Sequence, residues 1–271
     1  MTTILFYSLS AFIGLIAGFL GGLLGIGGGI VIVPALILLF DLWGLFPEDL
    51  VAQIAVATSL ACIIFTSAGA AIEQARRNMV DWKTVKNFFL FVILGGISSG
   101  FIASQLSSNI FRFLIGLFLL GVSTIMLTQW NPRPLKSIPS AIEKSVVGLF
   151  AGLISGLAGI GGGNIIVPVL TYYNHEIHRA IATSSALGLP IASAGTIGYY
   201  VAAEFSLLTP SNSGLVGYVY LPSFIAIAIT TFIAAPFGVR FAHRTNPYIL
   251  RRIFAILLIL ISARLLANSL S

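Results

Sequence analysis

Eight stretches of the chain are apolar for about 20 residues or more, the length that crosses a bilayer as a helix. They fall at about residues 4–40, 51–75, 84–106, 109–129, 142–173, 177–203, 216–242 and 246–268. Polar and turn-forming connectors separate them: Asp41 to Asp49, Arg76 to Lys86, Asn131 to Lys144, Asn174 to Arg179, Glu204 to Gly214 and Ala242 to Pro247. The pattern predicts an all-α polytopic membrane protein.

Two of the runs are interrupted in the same way. Residues 14–34 and 148–168 are identical at 14 of 21 positions, at a constant offset of 134. Each carries a glycine triplet, Gly27-Gly28-Gly29 or Gly161-Gly162-Gly163, and a proline five residues on, Pro34 or Pro168. Glycine costs about 1 kcal/mol in a helix interior, so three in a row predict a buried break, with the prolines as structural hinges. Ala57-Thr58-Ser59 recurs as Ala182-Thr183-Ser184, Ser67-Ala68-Gly69 as Ser193-Ala194-Gly195, and Asn109 to Arg112 resembles Tyr248 to Arg251. The chain therefore divides into a first membrane repeat (1–130), a connecting loop (131–141) and a second repeat (142–271), a duplication typical of transporters.

Composition removes the soluble classes. Hydrophobic residues make up 58% and charged residues 8% of the 271, against about a quarter charged in soluble domains. The formal charge of +6 does not indicate nucleic acid, because the Lys and Arg sit between apolar runs, where they set orientation. Cys62 stands alone, which excludes an intrachain disulfide and a cysteine metal site. The first residues lack a basic leader region and run directly into the glycine motif, so they read as mature structure.

Charge placement sets the topology. Eight full crossings would put eight Lys/Arg on one side and six on the other, which gives no orientation. If each broken segment is a hairpin of two partial helices that returns to its own side, the division becomes twelve against two, with Arg112 and Arg264 alone outside. Residues 142–173 would be roughly 48 Å as one helix, too long for one crossing and too short for two. Each repeat then holds a glycine-broken hairpin plus three transmembrane helices, and the odd number inverts one half against the other. Loops 76–86, 131–144, 174–179 and 240–252 are expected on the cytoplasmic side of the inner membrane.

The chemistry is expected at the breaks. A helix beginning inside the bilayer presents free N–H groups and roughly half a positive charge, and glycines let a ligand reach the backbone. The candidate anion-binding residues are Gly25, Gly27, Gly28, Gly29 and Ile30, with Gly159, Gly161, Gly162, Gly163 and Asn164 in the second copy. The hydroxyls of Thr58, Ser59, Thr183 and Ser184 are candidate donors, as is Ser185, with self-bonding to the preceding turn as the competing role. Gln53 is a weaker candidate. Gly14, Gly18, Gly22, Gly148, Gly152 and Gly156 recur every four residues and read as helix-packing positions. Glu73 and Glu204 end helices, where anchoring competes with proton coupling. His175 and His178 lack a third ligand for a metal. No cofactor and no catalytic residue is expected.

The doubled motif and the Ala-Thr-Ser triplets resemble the TauE/SafE family of membrane permeases, over essentially the whole chain. The matching positions are Gly25, Gly27 to Gly29 and Pro34, and Gly159, Gly161 to Gly163 and Pro168. The resemblance implies a secondary transporter, in the exporting direction, for small sulfur-containing anions such as sulfite or organosulfonates. A coupling ion, H+ or Na+, is expected as a partner beside the anion and the lipid bilayer. An anion channel and a non-transporting scaffold subunit are the alternatives.

Overall fold

The computed structural model describes residues 2–25, 27–128, 140–205, 214–242 and 248–270. Ten helices and one short hairpin are seen among them. The first half contains α1 (Thr2–Leu24), α2 (Gly29–Trp43), α3 (Glu48–Arg76), α4 (Trp82–Gln105) and α5 (Ser108–Thr128). The second contains α6 (Ala141–Ala158), α7 (Gly163–Tyr172), α8 (Ile177–Glu204), the strands β1 (Leu215–Val216) and β2 (Val219–Tyr220), α9 (Leu221–Ala242) and α10 (Tyr248–Leu270). Six helices are long and apolar enough to cross a membrane, so the chain is a multi-pass membrane protein.

Local chemistry explains the boundaries. Both glycine-rich runs break where expected, and the break is a change of backbone hand: Gly28 and Gly162 hold φ of 77° and 80° at the N-caps of α2 and α7. Any other residue there would strain the backbone. Asp81 caps α4 by accepting from the Lys83 and Thr84 N–H groups. Ser140 and Glu143 form a capping box at α6. Pro34 and Pro168 stand inside α2 and α7, after the breaks.

The two arms of each hairpin are unequal. α1 has 23 residues and α2 has 15; α6 has 18 and α7 has 10. At 1.5 Å per residue α1 is about 35 Å long, enough for a crossing. The cause lies in the sequence, where the glycines come late in each run. The first segment nonetheless returns to its starting level, since Phe6 of α1 meets Trp43 at the end of α2 with ring centroids 5.8 Å apart.

α3 and α8 form the centre. Their apolar windows are 89% and 72% buried, against 39% for α1, α4, α5 and α9. The main packing faces run between the halves, α1 on α9, α4 on α6 and α8, α3 on α8 and α9, and α5 on α10. Exchanging the halves maps this set onto itself. The four-residue glycine rows make the close approaches: a Cβ on Gly18 would lie 2.6 Å from Thr231 Cα, and one on Gly148 would lie 2.7 Å from Phe91 Cβ. Gly22 and Gly152 press as closely on the Ala235 and Val92 carbonyls.

The charges gather at two ends. At one, Glu73 of α3 pairs with Arg77 at 2.9 Å and with Arg240 of α9 at 3.2 Å, and Asp81 meets His175 at 3.3 Å. Loops 76–86 and 174–179 and the start of 240–252 thus lie together. Lys144 joins them, because α6 runs in step with α4. At the other end Arg112 reaches the Glu48 carbonyl at 3.0 Å and Asp41 at 3.7 Å. Residues 131–139 and 243–247 of the expected cytoplasmic loops, with Arg133, Lys136 and Arg244, lie outside the described residues.

Candidate functional site

The two breaks meet at the centre of the bundle. A Cβ on Gly27 would lie 3.0 Å from Gly161 Cα and 2.9 Å from Ile63 Cγ2, and one on Gly29 would press on the Gly159 carbonyl and lie 2.9 Å from Ile160 Cα. The backbones of the two motifs therefore touch directly, and only glycine permits it. From this contact α2 and α7 begin without any side-chain cap. Their positive ends converge on the same region.

The Ala-Thr-Ser triplets fasten this arrangement reciprocally. Ser59 of α3 donates to the Gly159 carbonyl at 2.9 Å, and Ser184 of α8 donates to the Gly25 carbonyl at 3.3 Å. Each half thus holds the break of the other. The preceding threonines act as acceptors: Thr58 Oγ1 takes the Tyr220 N–H at 3.0 Å, and Thr183 Oγ1 takes the Asp81 N–H at 3.0 Å. Those two bonds fix the entries to α9 and α4. Ser185 donates back to the Ile181 carbonyl, the self-bonding role.

The structure therefore brings together Gly27, Gly29, Gly159 and Gly161, with Gly28, Ile30, Gly162, Gly163 and Asn164 adjoining them in the chain. The Thr58 and Thr183 hydroxyls turn instead to the entries of α9 and α4. Pro34 and Pro168 each lack the N–H that the carbonyl four residues back, of Ile30 or Asn164, would accept. Asn164 Nδ2 is buried with no hydrogen-bond partner, and so is Gln53 Oε1. Ser67 Oγ is in the same state. Sequence reasoning used Ser67 only to align the repeats, and its position beside the second break depends on how α3 crosses α8.

Charge is kept away from the breaks. Among the described buried residues, Glu73 and Arg112 are the only carboxylate and guanidinium, one at each end. Asp81, at the mouth near α4, is pushed up by partial burial. Hydrogen bonds from the Thr84 hydroxyl and N–H, from His175 and from the Lys83 N–H outweigh this, and the carboxyl sits below its ordinary value.

The family model described as sulfite exporter TauE/SafE matches residues 10–265. The chain belongs to this family. A protein of Haemophilus influenzae named a probable membrane transporter protein is 32% identical over 265 residues, covering 95% of this chain and 97% of its own length. A similarly named protein of Methanocaldococcus jannaschii is 29% identical, covering 88% of this chain and 87% of its own length. A third, from Bacillus subtilis, is 28% identical over 72% of this chain and 79% of its own length. This TauE/SafE chain is accordingly a membrane transporter, and the contact between its glycine breaks is the candidate site.

Proposed function

We propose that the protein is a secondary transporter that exports small sulfur-containing anions, such as sulfite or organosulfonates, across the inner membrane. One observation carries the reading: two uncapped helix N-termini converge at the bundle centre with no buried cationic side chain beside them among the described residues. Free N–H groups and helix dipoles are suited to a small anion and offer nothing to a cation. The substrate site in this reading comprises Gly25, Gly27 to Gly29 and Ile30 with Gly159 and Gly161 to Asn164. Ser59, Ser184, Thr58 and Thr183 hold the surrounding backbone, and Pro34 and Pro168 act as hinges.

The orientation follows from the ends. The end with Arg76, Arg77, Lys83, Lys86, Lys144, Arg179 and Arg240 is cytoplasmic by the positive-inside rule, and the halves are inverted repeats. Because the breaks touch, the centre of the bundle is closed at that contact, which fits a gated carrier better than an open pore. Export is the direction that the family description favours, and a coupled H+ or Na+ would drive it.

Purified protein in proteoliposomes is expected to move sulfite or a sulfonate down an imposed gradient. No movement and no binding of sulfite, sulfonates or thiosulfate would reject the substrate class. Unitary conductance in a planar bilayer would replace the carrier with a channel.

A further inference from the structure

The two breaks share a sequence but not their surroundings. On α3 the side chain of Ile63 covers the first break, with its Cγ2 2.9 Å and its Cδ1 2.6 Å from the points that Cβ atoms would occupy on Gly27 and Gly29. The position 125 residues later, in register with the paired Ala-Thr-Ser triplets, is Gly188. On α8 that position carries no side chain, although Ile191 Cδ1 of the same helix lies 2.5 Å from the Cβ point of Gly162. A hydroxyl comes there instead: Ser67 Oγ and the Gly161 carbonyl oxygen lie 2.6 and 2.9 Å from the Cβ point of Gly188.

Ser67 is 1% exposed, and its Oγ has no hydrogen-bond partner. The Nδ2 of Asn164, the second residue of α7, is likewise buried and unpartnered. The first copy has Ile30 at that place. Leaving a buried donor unbonded is costly, and the cost disappears when a ligand accepts from it. Both such donors belong to the second break.

We infer that the anion site is one-sided: Ser67 Oγ, Asn164 Nδ2 and the free N–H groups at the start of α7 bind the substrate at the second break, while the first break, where Ile30 stands in place of Asn164, is a structural partner. The inference rests on the anion-transport reading above. It also narrows the substrate, because every donor is neutral. The cost of removing an ion from water grows steeply with its charge, and among the described residues no buried lysine or arginine lies beside the breaks to offset it. The site takes a singly charged oxyanion, a sulfonate or hydrogensulfite, in preference to a dianion such as sulfate.

Calorimetric titration of the full-length protein in nanodiscs with methanesulfonate and with sulfate tests this. Wild type is expected to bind methanesulfonate at least about tenfold more tightly than sulfate, and loss of one hydrogen bond to a charged ligand predicts about tenfold or greater weakening in Ser67→Ala and in Asn164→Ile. Ser67→Thr, which keeps the hydroxyl, should stay within about threefold by the same reasoning. Asn164→Ile installs the residue already present in the first copy, so it guards against a folding artefact at Ser67. Unchanged methanesulfonate affinity in both Ser67→Ala and Asn164→Ile would overturn the one-sided site and leave anion transport standing. Equal affinity for sulfate would overturn the charge selection. If wild type binds neither these nor hydrogensulfite nor thiosulfate, the anion reading itself falls, and the one-sided site falls with it.

Discussion

The first and second glycine breaks have nearly the same sequence and the same left-handed N-caps, yet they sit in different company. At the first, Ile30 follows the triplet and Ile63 lies across it; at the second, Asn164 follows, Gly188 stands at the place of Ile63, and Ile191 reaches Gly162. The local sequence specifies the backbone, and the helices that cross it decide which side chains that backbone meets. A repeated motif therefore identifies a shared conformation, and its function has to be read from its neighbours.

Substitutions can break this comparison, and the largest effect is expected at Gly162. Gly162→Leu puts a branched side chain on a left-handed residue at the start of α7, and transport in proteoliposomes should fall to background. Wild-type rates would remove the second break from the site. Next, alanine at Gly28 and at Gly162 should each cost about 1 kcal/mol or more for the backbone conformation. The two should not be equal, because a Cβ on Gly28 meets the Ala17 carbonyl oxygen at 2.5 Å, whereas one on Gly162 meets the yielding end of Ile191 at 2.5 Å. Thermal midpoints in detergent should drop further for Gly28→Ala, and the reverse order would show that the second break is the tighter.

Smaller effects separate the reciprocal serines. Ser59→Ala and Ser184→Ala each remove one buried hydrogen bond, about 1 kcal/mol, with the shorter Ser59 bond the more costly. Losses of thermal stability in both would sharpen the two-fold relation, and a loss in one alone would break it. Asp81→Ala should cost about 1 kcal/mol through its lost cap. Since the Asp81 carboxyl lies below its ordinary value, that stabilisation is complete above the usual aspartate range, about pH 4, and is lost as pH falls through the lowered value. The difference between wild type and Asp81→Ala in a pH series of melting curves should shrink on acidification.

The broken helices and the clustering of charge were legible in the sequence, because each depends on local backbone preference or on the price of moving charge through lipid. The unequal arms follow from the late position of Gly27 and Gly161 in their apolar runs. The site was harder to read. Thr58, Ser59, Thr183 and Ser184 stood out as hydroxyls in apolar helices. That they bond the opposite half depends on which helices cross, and no period within one helix records it. Ser67 carried a signal only once Ile63 and Gly188 were set in the same register.

The pairing of α1 with α9 has a consequence for biosynthesis. The glycine face of α1 is shaped for a helix that begins at Leu221, some two hundred residues later in the chain. Until α9 has entered the bilayer, that face lacks its partner. The second half is therefore needed to complete the first, and residues 1–130 expressed alone would leave a ribbon of small residues open to any passing helix. Assembly is governed by the last partners to arrive, and the earliest helix made is among the last to find its place.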